Sequence, residues 1–293
     1  PVTPVWNMNW ARDYVMANGC ITDADTFFFH DEADDPDEWT EEIIADINDG
    51  VCAVWYRGWA AQQGWQYPVF FNSDLMDINV GRKFPAVFGI VCGSGDFAFA
   101  DGPCFGEEWI TGMGSTVTSP DGAIVFVGAS DVHTNTKHNN AMLAAMAQST
   151  IVDGIRSTGA LVLAGKLEVY RQYPLERATD GQVHFYGFHV FNILGDPETP
   201  LFFCQPKDFT VNPPVAITRG SRYLNFTVTD NGTPVQNAIV AARPLNASGA
   251  TAWTAMTDAS GQVAVPVDLS TADEVQIAVW KHTYFNFFDT LSV

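Results

Sequence analysis

Basic residues are scarce in this sequence. Lys and Arg number 14 against 34 Asp and Glu, which gives a formal net charge of −20. A surface this negative repels phosphate backbones, and no Lys/Arg cluster relieves it locally, so we expect no nucleic-acid partner. The excess of carboxylates suits an extracellular or saline setting, bound calcium, or a plainly solvated acidic surface.

Long apolar runs and a recognisable leader are also missing. No apolar stretch reaches the ~18–20 residues that cross a bilayer, so no membrane span is expected. The sequence does not begin with Met, and no basic-then-apolar segment follows Pro1. We interpret the chain as a processed or truncated piece of an exported protein, located outside the cell or on its surface.

Cysteines are few and scattered. The five are Cys20, Cys52, Cys92, Cys104 and Cys204. They show neither CxxC nor Cys/His spacing, so the pattern predicts no disulfide scaffold and no zinc site. Because the count is odd, at least one thiol is unpaired within a monomer.

Apolar and aromatic residues are plentiful, at 47% and 13% of the chain. Three continuous apolar runs predict buried strands at 51–56, 84–92 and 122–130. A short strand is predicted at 26–30, helices at 7–19, 39–50, 72–80, 103–113, 140–155 and 160–172, and a helix, turn and extended run over 188–203. This alternation predicts an α/β domain with a parallel sheet covered by helices.

The pattern of polar and apolar residues changes near residues 205–214. Short alternating stretches such as YLNFTVT, AIVAARP and VQIAVW then follow, separated by turn signals. This spacing is typical of a small β-sandwich. We therefore predict an α/β domain over 1–207 and an all-β module over 208–293.

The acidic stretch HDEADDPDE (30–38) has three interpretations: a solvated loop, helix-dipole partners for the next helix, or a calcium ligand cluster. It lacks the ligand alternation and central Gly of an EF-hand loop. We expect no required cofactor, and calcium remains an open alternative.

Ligands of open parallel sheets gather at the carboxyl ends of the strands. Two such ends are YRGW (56–59) and VCGSGDF (91–97). Cys92 stands beside Gly and Ser residues whose backbone N–H groups could form an oxyanion hole. A Cys here is more often a small buried hydrophobic residue, and a nucleophilic one needs a base nearby.

These segments resemble the gingipain family of cysteine endopeptidases, in the caspase-like clan. The resemblance rests on YRGW, on GIVCGSGDFAFADGPCFGEEW (89–109) and on FNILGDPETP (191–200), and it covers residues 24–204. In that family one strand ends in Tyr-x-Gly-His-Gly, whose His is the catalytic base, and the next strand ends in the nucleophilic Cys. The resemblance implies a caspase-like fold followed by an immunoglobulin-like module.

By this resemblance Cys92 takes the nucleophile position and Gly93 the oxyanion turn. Cys104 falls in the Pro-Cys-Phe element, whose Cys is not the nucleophile. Asp131 and His133, in GASDVHTNT after the third strand, lie at the wall of the family's substrate pocket. They match no family residue closely, so a substrate-binding role is an expectation only.

Trp59 stands where the family has the catalytic His. An indole N–H only donates, so it cannot act as a base. Trp59 either fills the vacated space with apolar surface or, with Trp55 and Trp65, lines a cleft for a sugar or peptide. The candidates for a substitute base are His30, His133 and His138.

These residues predict a secreted, catalytically degenerate pseudopeptidase with a binding or structural role. Its expected partner is a protein or peptide ligand, within a cell-surface or filament assembly. The alternative is an active endopeptidase that uses Cys92 with an unorthodox base. A third alternative makes Cys92 a redox or attachment thiol.

Overall fold

The computed structural model describes residues 2–29, 35–81, 83–112, 116, 121–176, 189–214, 217–220, 222–246 and 251–293. The chain divides into two compact units, Pro1–Phe203 and Cys204–Val293. This division falls slightly before the boundary at 207 that the sequence pattern suggests. Within the described ranges, no helix is both long and apolar enough to cross a membrane.

The first unit contains five helices and seven strands among its described residues. The helices are α1 (Val2–Asn18), α2 (Thr40–Asp49), α3 (Phe105–Thr111), α4 (Thr136–Ile151) and α5 (Thr158–Gln172). The strands are β1 (Ala53–Tyr56), β2 (Ala60–Ala61), β3 (Gly64–Gln66), β4 (Val69–Phe71), β5 (Ala86–Gly89), β6 (Val125–Ala129) and β7 (Phe191–Gly195).

The main sheet has the order β1-β5-β6-β7. β1, β5 and β6 run parallel, and β7 closes the edge antiparallel to β6. Alternate residues of β5 enter two different cores, since Phe88 packs in the cluster with α4 and α5 and Val87 in the cluster with α2 and α3. Burial on both faces explains the continuous apolar runs and confirms the predicted helix-covered sheet.

The predicted strand at 26–30 is wrong over the residues described. Residues 26–29 belong to no strand, and His30 lies outside the described ranges. Phe27 packs against Trp39 and Phe29 against Tyr67, with ring centroids 5.8 and 4.7 Å apart. Three consecutive Phe residues have no alternation of polarity to define a sheet face, so ring packing decides their conformation.

Two further predictions need correction. The helix expected at 72–80 is only a 3₁₀ turn, Asp74–Asp77, since the Asp74 carboxylate accepts the backbone N–H of Phe71 and starts a tight turn. Of the helix expected near the start of 188–203, only residues 189–190 are helical in the described part, with a π-helical conformation. Phe191–Gly195 form β7 instead, which pairs with β6. A short apolar run does not distinguish a helix from a strand until a partner strand is present.

A small antiparallel sheet, β2-β3-β4, follows β1 directly. The sequence analysis described this region only as a loop rich in Gly, Gln and Trp. Its strands are two or three residues long, too short for a periodic signal. The sheet matters because it carries the residues that follow Trp59.

The second unit is all-β. Its strands are β8 (Thr210–Asn212), β9 (Tyr223–Asp230), β10 (Thr233–Pro234), β11 (Ile239–Leu245), β12 (Trp253–Met256), β13 (Gln262–Pro266), β14 (Glu274–Trp280) and β15 (Phe287–Ser292). They form two four-stranded antiparallel sheets around one apolar core. Inward residues alternate with outward ones, as in Leu224, Phe226 and Val228 of β9. The all-β prediction is confirmed, and the immunoglobulin-like assignment stays a prediction.

Candidate active site

The ends of β1 and β5 come together in register. Tyr56 pairs with Gly89, and the backbone N–H of Ile90 donates to the carbonyl of Tyr56 at 3.1 Å. Trp59 lies three positions after Tyr56 in the sequence, and Cys92 lies three positions after Gly89. A Cβ added to Gly93 would lie 3.6 Å from the backbone of Ala61, so the two strand-end loops are in contact.

Cys92 is a partly buried free thiol. Its Sγ lies 3.0 Å from Oγ1 of Thr134, in the loop that precedes α4. The side-chain amide of Asn139, itself buried in α4, donates to the same Oγ1 at 2.9 Å. The threonine oxygen accepts from Asn139, and between its hydroxyl group and the thiol either group can be the donor.

The turn after Cys92 is fixed by backbone hydrogen bonds to the loop of β6. Gly93, with a φ of +60°, donates its N–H to the carbonyl of Asp131 at 2.9 Å, and Gly95 donates to Ala129 at 2.9 Å. A Cβ on Gly95 would approach the backbone of Gly128 to 2.8 Å, so only glycine fits. In this arrangement the Gly93 N–H is already bonded, and its oxyanion role stays a prediction.

Arg57 is a buried cation next to this site, and sequence reasoning missed it. Its guanidinium donates to the carbonyl of Ile90 at 2.9 Å and to Oδ1 of Asn140 at 2.5 Å. Burial lowers the pKa of Arg57 to about 10, while the charges of Cys92 and Tyr56 oppose that shift. At neutral pH the group is therefore a cation within electrostatic reach of Cys92, and it has no carboxylate partner among the described residues. The only signal in the sequence was an Arg directly after an apolar strand.

The predicted substrate residues Asp131 and His133 lie beside the Cys92 turn. Oδ1 of Asp131 accepts the backbone N–H of His133 at 2.6 Å and lies 2.9 Å from its ring Nδ1. The His133 side chain is 86% exposed. The same loop therefore contributes an aspartate–histidine pair and, one residue later, the threonine that contacts Cys92.

Trp59 is 60% exposed, so it does not fill a buried space as one of the two interpretations proposed. Its carbonyl lies 2.8 Å from the hydroxyl of Tyr56, which fixes the loop backbone. Trp65 is buried and stacks on Tyr56 at 4.3 Å, and Trp55 stacks on Phe88 at 4.3 Å. Trp65 therefore belongs to the core, whereas Trp59 is exposed.

The remaining candidates lie in other environments. His138 is buried, with Nε2 2.9 Å from Oε2 of Glu176, and it packs edge-on against Tyr173. Cys104 is buried at the N-cap of α3, and burial raises the pKa of its thiol to about 11, as suits a cysteine that is not a nucleophile. Among the described residues, no cluster of three His, Cys, Asp or Glu side chains could hold a metal ion.

Fold and site together define a caspase-like α/β domain with a cysteine at a strand end, followed by an all-β region. The chain belongs to peptidase family C25, the gingipain family, since that family's model matches residues 8–202. It resembles the crystal structure of the Arg-specific cysteine proteinase gingipain R (RgpB), with a TM-score of 0.73 and 16% identity over 99% of this chain and 62% of that one.

Two further solved structures are similar. The complex of Porphyromonas gingivalis RgpB pro- and mature domains matches at a TM-score of 0.73 and 16% identity, over 98% of this chain and 63% of that one. A structure described only as a protease matches at 0.65 and 17% identity, over 85% and 56%. No curated protein matches by sequence. The chain thus spans less than two thirds of these relatives, and at this identity the likeness shows the fold alone.

Proposed function

We propose that this chain is an extracellular or cell-surface member of the gingipain family that binds a peptide or protein ligand without hydrolysing it. The observation that carries this proposal is the pairing of Tyr56 with Gly89 in the parallel strands β1 and β5. Trp59 follows Tyr56 by three positions in the sequence, and Cys92 follows Gly89 by three positions. The family motif has its base His three residues after the Tyr. An indole N–H cannot accept the proton of the thiol.

The contacts of Cys92 also support a loss of turnover. Its side-chain partner is the hydroxyl group of Thr134. This group can hydrogen-bond the sulfur, but it is not basic enough to take up the proton of the thiol at neutral pH. Turnover needs a group that takes up the thiol proton and returns one to the leaving amine. Thr134 and Asn139 supply no such group.

The exposed ring of Trp59 and the strongly acidic composition support a binding role instead. An exposed aromatic face offers a large contact area at small conformational cost. A charge of −20 favours a basic ligand and disfavours an anionic one. We propose that the ligand binds at the ends of β1 and β5 while the thiol stays unreacted.

Hydrolysis of fluorescent casein and of fluorogenic peptides tests this proposal. The full chain and its Cys92→Ala variant are expected to give the same background rate. A rate clearly above that of Cys92→Ala would disprove the loss of activity. A change in melting temperature on adding calcium or a chelator would separately test the calcium alternative, since no cofactor is expected to be required.

The Asp131–His133 pair favours a second candidate function, an active endopeptidase with a substitute base. The carboxylate orients the imidazole in the loop that also contacts Cys92 through Thr134. A rotation of this exposed side chain would have to bring its ring to the sulfur in the substrate complex. In that case His133→Ala would abolish hydrolysis, whereas the matched exposed control His189→Ala would leave it unchanged.

A further inference from the structure

Arg57 connects three segments of the first unit that meet at the candidate active site. It follows β1 directly and is buried, with 8% of the residue exposed. Its Nη1 donates to the main-chain carbonyl of Ile90 at 2.9 Å. Nε and Nη2 donate to Oδ1 of Asn140 at 3.2 and 2.5 Å, and Nη2 also donates to the carbonyl of Thr136 at 3.4 Å. One side chain therefore joins the end of the β5 segment to the beginning of α4.

These contacts lie on both sides of the contact between the thiol and the threonine hydroxyl group. Ile90 lies two positions before Cys92, and Thr136 lies two positions after Thr134. The sulfur and the hydroxyl oxygen are 3.0 Å apart. Because Thr134 immediately precedes the N-cap residue of α4, a shift of this helix relative to β5 would change that distance. The position of the hydroxyl group therefore depends on how α4 is fixed to the end of β5.

Two consecutive asparagines of α4 contact Thr134 and Arg57. At 3.6 residues per turn, consecutive side chains of a helix point ~100° apart, so they reach different partners. The side-chain amide of Asn139 donates to Oγ1 of Thr134 at 2.9 Å, and Oδ1 of Asn140 accepts from Arg57. The beginning of α4 is thus bonded to the threonine through one residue and to the arginine through the next.

The shape of the guanidinium group explains how one side chain makes all these contacts. The group is planar and holds five N–H donors in a fixed fork. Its acceptors are two main-chain carbonyls and one side-chain amide oxygen, all of them neutral. Among the described residues, the hydrogen-bond partner of the Cys92 sulfur is Thr134 and not Arg57. A lysine would keep the positive charge and lose the fork, so experiment can separate the two contributions.

We propose that Arg57 is a positioning residue for the candidate active site. It fixes the beginning of α4 to the end of the β5 segment, and it thereby holds the hydroxyl group of Thr134 against the sulfur of Cys92. Its influence on the thiol passes mainly through Thr134, and its positive charge contributes less. This inference goes beyond the proposed function, because it concerns the ligand-free protein and holds whether a ligand is bound or cleaved.

Iodoacetamide labelling of Cys92, followed peptide by peptide with mass spectrometry, tests the proposal on the full chain. Arg57→Lys keeps the charge and loses the fork, whereas Asn140→Ala keeps the arginine and removes its side-chain acceptor on α4. The labelling rate of each variant at neutral pH should match that of Thr134→Val, about fivefold below the parent. Combining either substitution with Thr134→Val should slow labelling by less than about twofold further, because both act through one contact.

Arg156→Lys is the matched control. Arg156 also donates to main-chain carbonyls, but at the other end of α4, so its replacement should leave the Cys92 rate unchanged. The exposed thiol of Cys52 is the internal reference for the rate. The buried Cys104 should stay unlabelled, which shows that a variant is folded.

Hydrogen exchange measures the fixing of α4 independently of the thiol. The amide of Asn139 donates to the carbonyl of Asn135 at 3.0 Å. We expect this amide to exchange at least about tenfold faster in Arg57→Lys and in Asn140→Ala than in the parent. The Val152 amide, at the other end of α4, should exchange at the parent rate.

Distinct results would overturn the proposal. Parent-like labelling of Cys92 in Arg57→Lys, together with slowed labelling in Thr134→Val, would show that the positive charge is sufficient. Effects that multiply in the double variants would show that Arg57 acts on the thiol independently of Thr134. Unchanged exchange of the Asn139 amide would show that α4 is fixed without the arginine. If Arg57→Lys does not fold, Asn140→Ala decides by the same criteria, since alanine favours the helix and leaves Arg57 in place.

Discussion

The sulfur of Cys92 lies 3.0 Å from the hydroxyl oxygen of Thr134, and that oxygen in turn accepts a hydrogen bond from Asn139. The three side chains come from different elements: the end of the β5 segment, the loop after β6, and α4. We infer that the threonine hydroxyl donates to the sulfur while its oxygen accepts from Asn139. Cys92, the predicted nucleophile, is thus held beside a hydroxyl group that comes from a different segment of the chain.

Thr134→Val tests this direction of donation. Valine keeps the shape of the side chain and removes the hydroxyl, so alkylation of Cys92 at neutral pH should slow about fivefold, as loss of a hydrogen bond worth ~1 kcal/mol implies. Iodoacetamide labelling, followed peptide by peptide with mass spectrometry, measures the rate. The exposed thiol of Cys52 is the internal reference, and the buried Cys104 should stay unlabelled until the protein unfolds. An unchanged Cys92 rate would mean that the sulfur donates to the threonine instead.

Trp59→His tests the position of the missing base. The imidazole would follow Tyr56 by three residues, as in the family motif, and a general base contributes ~10²–10⁴-fold to such reactions. We expect hydrolysis of fluorogenic peptides to rise at least ~10²-fold over the parent chain and to vanish when Cys92→Ala is added. Trp10→His, at another exposed tryptophan of the first unit, is the matched control. If W59H stays at background both alone and with Ala60→Gly, position 59 does not face the thiol.

Glu176 should make stability depend on pH on the acid side. Its hydrogen bond with Lys137, followed by that with His138, lowers the pKa of the carboxyl group. A carboxyl with a lowered folded pKa contributes stability that is fully present above ~4.3 and is lost as the pH falls through the lowered value. Glu176→Gln should therefore melt at a lower temperature than the parent at pH 6, and the difference should shrink below pH 4. A constant difference across this range would contradict the assignment.

Thr257→Val should destabilise the second unit. The buried hydroxyl of Thr257 accepts the N–H of Ala238 at 2.8 Å and donates to the carbonyl of Val235 at 2.6 Å. Valine would leave both backbone groups buried without that partner, which costs ~1–3 kcal/mol for each group. Hydrogen exchange of the β9 and β11 amides in the full chain measures the loss of protection. Thr290→Val, an exposed position of β15, should leave this protection unchanged.

Much of the fold was predictable from local patterns. The three parallel strands and helices α2, α4 and α5 each have a complete local signal, either an unbroken apolar run or helical spacing with a terminator. The strands of the second unit alternate polar and apolar residues, and burial follows that alternation in β9. The prediction was wrong at 26–29 and 72–80, where side-chain packing and one aspartate bond decide the conformation.

The sequence by itself determined which residues stand at the strand ends, because apolar runs stop at Arg57 and Cys92. Its resemblance to the family motif predicts that Trp59 stands at the position of the family histidine. Only the tertiary structure decided what surrounds the thiol. Thr134, Asn139 and Arg57 are far apart in the chain, and no spacing rule links them to Cys92. Their convergence depends on strand order and on how α4 packs, which are properties of the whole core.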